Sequence, residues 1–248
     1  MKPRPISRAL SALLVASVLA GAVGSGRTLI AQSARSAAGD VQQTIDAARK
    51  EIERYRTAGG SAGVSDHPAV KWDAALWAYR DRYPHTDAAA MATVEAIRQL
   101  VRAELWDRAH VRVESLDAND AAWERVASVL YEEGIARKDF SYTSATLTQV
   151  AASTTTPTIK SAALLILGRM HRRQGDLGAA TRTLEEAKTA APGSPSADEA
   201  DGLIYEIAHL SVGLAAPPIS GKPRNGRGPI NLETFHGKPV VLVFWAST

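Results

Sequence analysis

The chain of 248 residues is long enough for one large or two small domains, and its 45% hydrophobic and 22% charged residues are ordinary proportions for a globular protein. It contains no cysteine, which excludes structural disulfides, thiolate zinc sites and thiol chemistry within these residues. The net charge of +3 comes from the N-terminal segment, where Lys2, Arg4, Arg8 and Arg27 precede the first acidic residue, Asp40. The rest of the chain has no basic excess, so we expect no nucleic-acid partner.

The first 33 residues have the three-part composition of a secretory signal peptide. A basic start is followed by an apolar run over residues 9–23 and then by small residues. Ala20-Gly21-Ala22 and Ala31-Gln32-Ser33 both fit the small-x-small pattern of a cleavage site, so the sequence leaves the cleavage point open. The run is short for the roughly 20 apolar residues of a membrane span. We therefore expect export to the periplasm or another extracytoplasmic compartment, with an uncleaved N-terminal membrane anchor as the alternative.

Residues 40–212 carry helical periodicity almost throughout. Apolar residues three and four apart predict a helix over 40–56, and the glycines at 59–63 end it. A second helix is predicted from Pro68 to Tyr83, a third begins near Asp87, and another covers 121–133. The expected buried face of the third helix consists of Met91, Val94, Ile97, Val101 and Leu105.

The clearest helical pattern runs from Leu164 to Pro192, in a repeat counted from Ser161. Its signature residues are Leu164, Leu167, Gly168, Ala180, Leu184, Ala187 and Pro192. They resemble the tetratricopeptide repeat, a helix–turn–helix unit of about 34 residues. In such a unit, small residues let the two helices approach closely while leucines fill the space between them. His171 departs from the pattern, since an aromatic residue is usual at that position.

Two weaker copies precede this repeat. Ala109, Ala145 and Ala180 are spaced by 36 and 35 residues, and Gly134 precedes Gly168 by 34. Because one repeat cannot bury its own apolar face, we expect the copies to stack into one helical body. This body either offers a groove for an extended or helical peptide or serves only as a spacer, and the sequence leaves both interpretations open.

The composition changes at residue 213, where helical periodicity ends. Gly-Leu-Ala-Ala-Pro-Pro at 213–218 is followed by a turn-forming Asn225-Gly226 and a short strand-like segment at 229–232. The chain then reads Gly-Lys-Pro-Val-Val-Leu-Val-Phe-Trp-Ala-Ser over 237–247. Its apolar part predicts a buried strand formed by Val240, Val241, Leu242, Val243, Phe244 and Trp245.

These last 36 residues resemble the opening of the redoxin and TlpA-like branch of the thioredoxin family. The resemblance implies that the strand is central in an α/β sheet and leads to a Cys-x-x-Cys loop at a helix N-terminus. Those cysteines are expected beyond Thr248, so we expect no catalytic residue, cofactor or metal within this chain, and no thiol exchange by it alone. A cysteine thiolate at such a position attacks a substrate disulfide, and the second cysteine resolves the mixed disulfide.

The sequence thus predicts a signal peptide (1–33), a mainly α, tetratricopeptide-like domain (40–212) and the first strands of an incomplete thioredoxin-like domain (213–248). The expected function is exported thiol–disulfide oxidoreduction, with a client or redox-partner protein docking on the helices. Two alternatives differ in class. One is a non-enzymatic, peptide-binding helical-repeat scaffold, and the other is a peroxiredoxin-like peroxidase, which shares the early strands.

Neither the histidines nor a group of arginines in the sequence predicts a metal or ligand site. The six histidines show no metal-ligand spacing on one helix face. Arg169, Arg172, Arg173 and Arg182 form a basic group on the clear repeat, which we interpret as a solvated surface.

Overall fold

A computed structural model describes residues 37–221 and 230–243 of the chain. The predicted signal peptide, the Asn225-Gly226 turn and residues 244–248 lie outside these ranges. The described residues form nine α-helices and one short two-stranded ribbon, so the prediction of a mainly helical protein is confirmed. Among the described helices, none has the length and apolar character needed to span a membrane.

The first helix, α1, is described over residues 37–57. The others are α2 (Pro68–Arg82), α3 (Asp87–Arg102), α4 (Trp106–Glu114), α5 (Trp123–Arg137), α6 (Ser141–Ser153), α7 (Pro157–Arg173), α8 (Leu177–Ala190) and α9 (Pro195–His209). Short polar side chains begin several of them. Thr86, Asp176 and Ser194 each accept a hydrogen bond from a backbone N–H in the first turn of α3, α8 and α9. Proline occupies the start of α2, α7 and α9, where its missing N–H costs no helical hydrogen bond.

The helices pack in an alternating arrangement. α3, α5, α7 and α9 lie side by side in that order, α6 packs on both α5 and α7, and α8 packs on both α7 and α9. One large apolar core joins these helices, and its biggest fully buried side chains include Leu100, Leu130, Ile166 and Leu184. A smaller core, with Val41 and Leu76 at its centre, joins α1, α2 and α3.

The third helix is buried on more sides than its sequence indicates. Val94, Ile97 and Val101 are buried as predicted, whereas Met91 is only partly buried and Leu105 lies beyond the end of α3, directly before α4. α3 lies between α2 and α5, and α1 packs on it as well, so polar side chains on its other faces are also buried. These buried polar residues are Thr93, Glu95 and Gln99.

Paired charges join helices that are not consecutive in the chain. Arg49 of α1 donates two hydrogen bonds of 2.8 and 2.9 Å to the buried carboxylate of Glu95 in α3. Arg112 of α4 likewise donates two hydrogen bonds of 2.9 Å to Asp73 of α2. Bidentate guanidinium–carboxylate contacts fix the relative orientation of the two groups as well as the distance between them.

The predicted strand near the C-terminus is not formed over the residues that the structure describes. The only described strands are β1 (Ser220–Gly221) and β2 (Ile230–Asn231), paired antiparallel, and a 3-10 helix at Leu232–Phe235 follows them. Residues 239–243 have no regular structure, and the side chains of Val240, Val241, Leu242 and Val243 are 44%, 86%, 49% and 76% exposed. A strand needs a neighbouring strand for its backbone hydrogen bonds, and none of the described residues supplies one. Phe244 and Trp245 lie outside the described residues.

Candidate docking surface

The signature residues of the clear repeat meet between α7 and α8. Leu164, Leu167, Ala180, Leu184 and Ala187 are buried, and Pro192 is exposed two residues after α8 ends. A Cβ atom built on Gly168 would lie 2.6 Å from Cγ of Leu184, so only glycine fits this approach of the two helices. Ser161 adds a polar link, since its hydroxyl donates to the backbone oxygen of Ala187 at 2.8 Å.

The weaker copies follow the spacing only in part. Ala109 and Ala180 are fully buried, but Ala145, which the spacing places with them, is exposed on α6. α6 instead buries Thr143, Leu147 and Val150. The Thr143 hydroxyl donates to the backbone oxygen of Leu130 in α5 at 2.9 Å, so α6 presents a different face from the one that the alanine spacing predicts.

A concavity of 410 Å³ crosses α5, α7 and α9. Its lining residues are Tyr131, Arg169, Arg172, Arg173 and Leu203. We call this surface the arginine concavity. Arg182 belongs to α8 and does not line it, so the four arginines of the clear repeat do not form a single basic face.

Two of the arginines in the concavity are paired with carboxylates of α9. Arg172 Nη2 lies 2.8 Å from Glu206 Oε2, and Arg169 forms an ion pair with Glu199. The Arg169 guanidinium also lies 5.9 Å from the ring centroid of Tyr131 in α5. The surface therefore presents mixed charge together with an aromatic ring, a composition common at protein interfaces.

A second cleft, of 380 Å³, lies between the end of α4, the α4–α5 loop, the start of α5 and α6. Its lining includes Glu114, Trp123, Tyr142, Thr146 and Gln149. We call it the tyrosine cleft. Sequence reasoning missed it because its residues come from segments far apart in the chain, and no local spacing connects them.

A buried polar cluster lies behind the tyrosine cleft. The Glu133 side chain is buried, and its Oε1 atom lies 2.7 Å from Nε2 of His110 and accepts a 2.9 Å hydrogen bond from Arg137. The His110 ring stacks on Tyr142 with centroids 3.5 Å apart. The cluster therefore joins α4, α5 and α6 and fixes the position of the tyrosine ring at the cleft.

The chain has no cysteine, so no described residue can carry out the thiol chemistry that the resemblance implies. The apolar run before the expected cysteines, Val240 to Val243, is exposed and lies outside any sheet among the described residues. Within the same ranges, no group of three histidine or acidic side chains is arranged to hold a metal ion.

Comparisons of this chain with protein-family models, with curated proteins and with solved structures found no match.

Proposed function

We propose that this chain is the N-terminal part of an exported thiol–disulfide oxidoreductase of the redoxin, TlpA-like type, whose helical body docks a client or redox partner. The observation that carries the proposal is the segment at 237–247. Its order of glycine, lysine, proline and six apolar residues is that of the strand preceding the redox loop in this family. Four of those apolar side chains, Val240 to Val243, are exposed and have no regular structure, and in this proposal strands from residues that follow Thr248 would cover them.

The reaction would be carried by two cysteines in residues that follow Thr248. The first, at a helix N-terminus, is stabilised as a thiolate by backbone N–H groups and by the helix dipole. It attacks one sulfur of a substrate disulfide and releases the other as a thiolate. The second cysteine then attacks the mixed disulfide, which releases the reduced substrate and leaves an oxidised pair in the enzyme.

The packing of the helices supports the proposal of tetratricopeptide-like repeats. Pairs α5/α6 and α7/α8 each form a hairpin, and the first helices of successive pairs lie side by side. The second helix of each pair also contacts the first helix of the next pair. Stacking of this kind buries one continuous core along the array.

Export is proposed from the N-terminal residues. The basic start, the apolar run at 9–23 and the small residues that follow are read by the secretion machinery, after which cleavage would release the body. Mass spectrometry of the exported protein should find a new N-terminus between residues 23 and 34. A mature protein that retains Met1 would instead support the membrane anchor.

The redox proposal is tested by a disulfide-reduction assay on the protein expressed from the complete reading frame. We expect that protein to accelerate reduction of insulin by dithiothreitol, and a variant with both cysteines changed to serine to lose this activity. The chain ending at Thr248 should be inactive, because it has no thiol. Equal activity of the complete protein and its serine variant would contradict the proposal.

A second candidate function is a peptide-binding helical scaffold without redox chemistry. The arginine concavity favours it, since aromatic and paired charged side chains from three helices meet there. In that case, a peptide partner would bind the complete protein and its serine variant equally well, and neither would reduce insulin.

A further inference from the structure

The tyrosine cleft has both apolar and polar side chains in its lining. Leu116, Ala145 and Val150 contribute apolar surface, while Thr146 and Gln149 contribute polar atoms from α6. An aliphatic chain that ends in a polar group has the matching chemistry, because its stem packs on the apolar side chains while its head meets the polar atoms.

The charge of the cleft is negative. Glu114 lines it, and none of the other lining side chains, all of which lie within the described residues, is acidic or basic. Glu114 makes no ion pair among the residues that the structure describes. The nearby carboxylate of Glu133 does not line the cleft; its Oε1 is engaged by Arg137 and His110, while its buried Oε2 has no hydrogen-bond partner among the described residues. The unmatched charge at the cleft is therefore that of Glu114.

The Tyr142 hydroxyl lies inside the wall of the cleft. It is shielded from solvent, and the Thr146 side chain lies beside it, although the two form no hydrogen bond of ordinary geometry. Burial raises the pKa of Tyr142 to about 12, and the negative charge of Glu114 adds to this effect. The hydroxyl therefore stays neutral and adds no charge to the cleft.

We propose that the tyrosine cleft binds the side chain of a lysine or arginine from a polypeptide partner. The aliphatic stem packs along Leu116 and Val150, and the cationic head pairs with Glu114. This inference specifies the docking role proposed above and rests on it, but it does not depend on the redox cysteines. A partner that docks here carries a basic residue at the point of contact.

The probe is Nα-acetyl-lysine methylamide, titrated into the 15N-labelled chain while backbone amide shifts are followed by NMR. We expect saturable shifts at millimolar concentration, grouped at Glu114, Thr146 and Gln149. Nα-acetyl-norleucine methylamide has the aliphatic stem without the charge, and it should cause no saturable shift. Glu114→Gln keeps the size of the side chain but removes the charge, and should weaken lysine binding roughly two- to fivefold.

Two further variants make the result specific. Tyr142→Phe removes only the shielded hydroxyl, and Glu186→Gln removes an exposed carboxylate on α8, so both should leave binding unchanged. Equal binding of the norleucine compound, or unchanged affinity in Glu114→Gln, would overturn the inference. So would lysine-dependent shifts confined to the arginine concavity, although that result would leave the docking role intact. If the chain shows no shifts while the protein expressed from the complete reading frame reduces insulin, the binding role of the cleft is rejected and the redox function is retained.

Discussion

Gly168 in α7 and Leu184 in α8 lie so close that a Cβ atom at position 168 would come 2.6 Å from Cγ of the leucine. Leu184 is fully buried, so it cannot move aside into solvent. Gly168→Ala should therefore lower the free energy of unfolding by about 2 kcal/mol, as overpacking of a well-filled core does. Urea unfolding followed by circular dichroism measures the change.

Gly202→Ala is the matched control for that substitution. Gly202 lies inside α9, and a Cβ atom built there meets nothing within 4 Å. Alanine is the better helix former, so this variant should be more stable than the parent by roughly 0.5–1 kcal/mol. Equal changes in the two variants would show that the contact with Leu184 is not what requires glycine at 168.

Glu95 makes stability depend on pH in the acid range. Burial acts to raise the pKa of this carboxyl, but hydrogen bonds from Arg49 and Gln99 outweigh it and hold the pKa below the ordinary value of 4.5. A carboxyl whose pKa is lower in the folded state stabilises the fold above its unfolded pKa. That contribution is lost as the pH falls from about 4.5 through the folded-state pKa.

Glu95→Gln tests this dependence. At neutral pH, the variant should be less stable than the parent by about 2 kcal/mol, because charge-assisted hydrogen bonds are lost. The difference should shrink as the pH is lowered below 4.5. His67 also weakens the fold in acid, since burial lowers its pKa from 6.5, but it does so equally in both proteins. A stability difference that stays constant from pH 7 to pH 3 would contradict the assignment.

The side-chain oxygen of Asn119 joins two loops. Oδ1 accepts a 2.8 Å hydrogen bond from the backbone N–H of Thr155 and a 2.9 Å bond from the hydroxyl of Thr154. The hydroxyls of Thr155 and Thr156 lie 3.1 and 3.2 Å from the same oxygen. The α4–α5 loop is thereby held against the α6–α7 loop.

Asn119→Ala should lower the free energy of unfolding by about 1 kcal/mol and speed hydrogen exchange at the Thr155 amide. Asn119→Asp keeps an acceptor oxygen and should preserve most of that protection. Native-state hydrogen exchange followed by NMR provides the readout. Unchanged exchange at Thr155 in the alanine variant would show that the contact does not hold the loops together.

Helices with strong apolar periodicity and with proline or glycine at their ends could be predicted from the sequence. The sequence predicts the second helix from Pro68 to Tyr83, and α2 covers Pro68–Arg82, because a proline lies at each end of the pattern. α6 gave no such signal, since six of its thirteen residues, Ser141–Ser153, are serine or threonine. Its helical form depends on burying Leu147 and Val150 against neighbouring helices, so tertiary packing overrides weak local propensity.

The tyrosine cleft and its buried cluster could not be predicted by reading along the chain. His110, Glu133 and Tyr142 come from three helices, and only the packed arrangement brings them together. The strand predicted at Val240 to Trp245 is wrong over Val240 to Val243, the part that the structure describes. High strand propensity is present locally, but a strand also requires hydrogen-bonding neighbours, which propensity does not supply.

The central claim is that the chain leads into a redox domain, and the most direct test is to sequence the coding DNA beyond the codon for Thr248. We predict a reading frame that continues within a few codons into Cys-x-x-Cys and then into the rest of a thioredoxin-like domain. A stop codon directly after Thr248, or a continuation without cysteines, would contradict the redox assignment and leave peptide docking as the proposed function of the helical body.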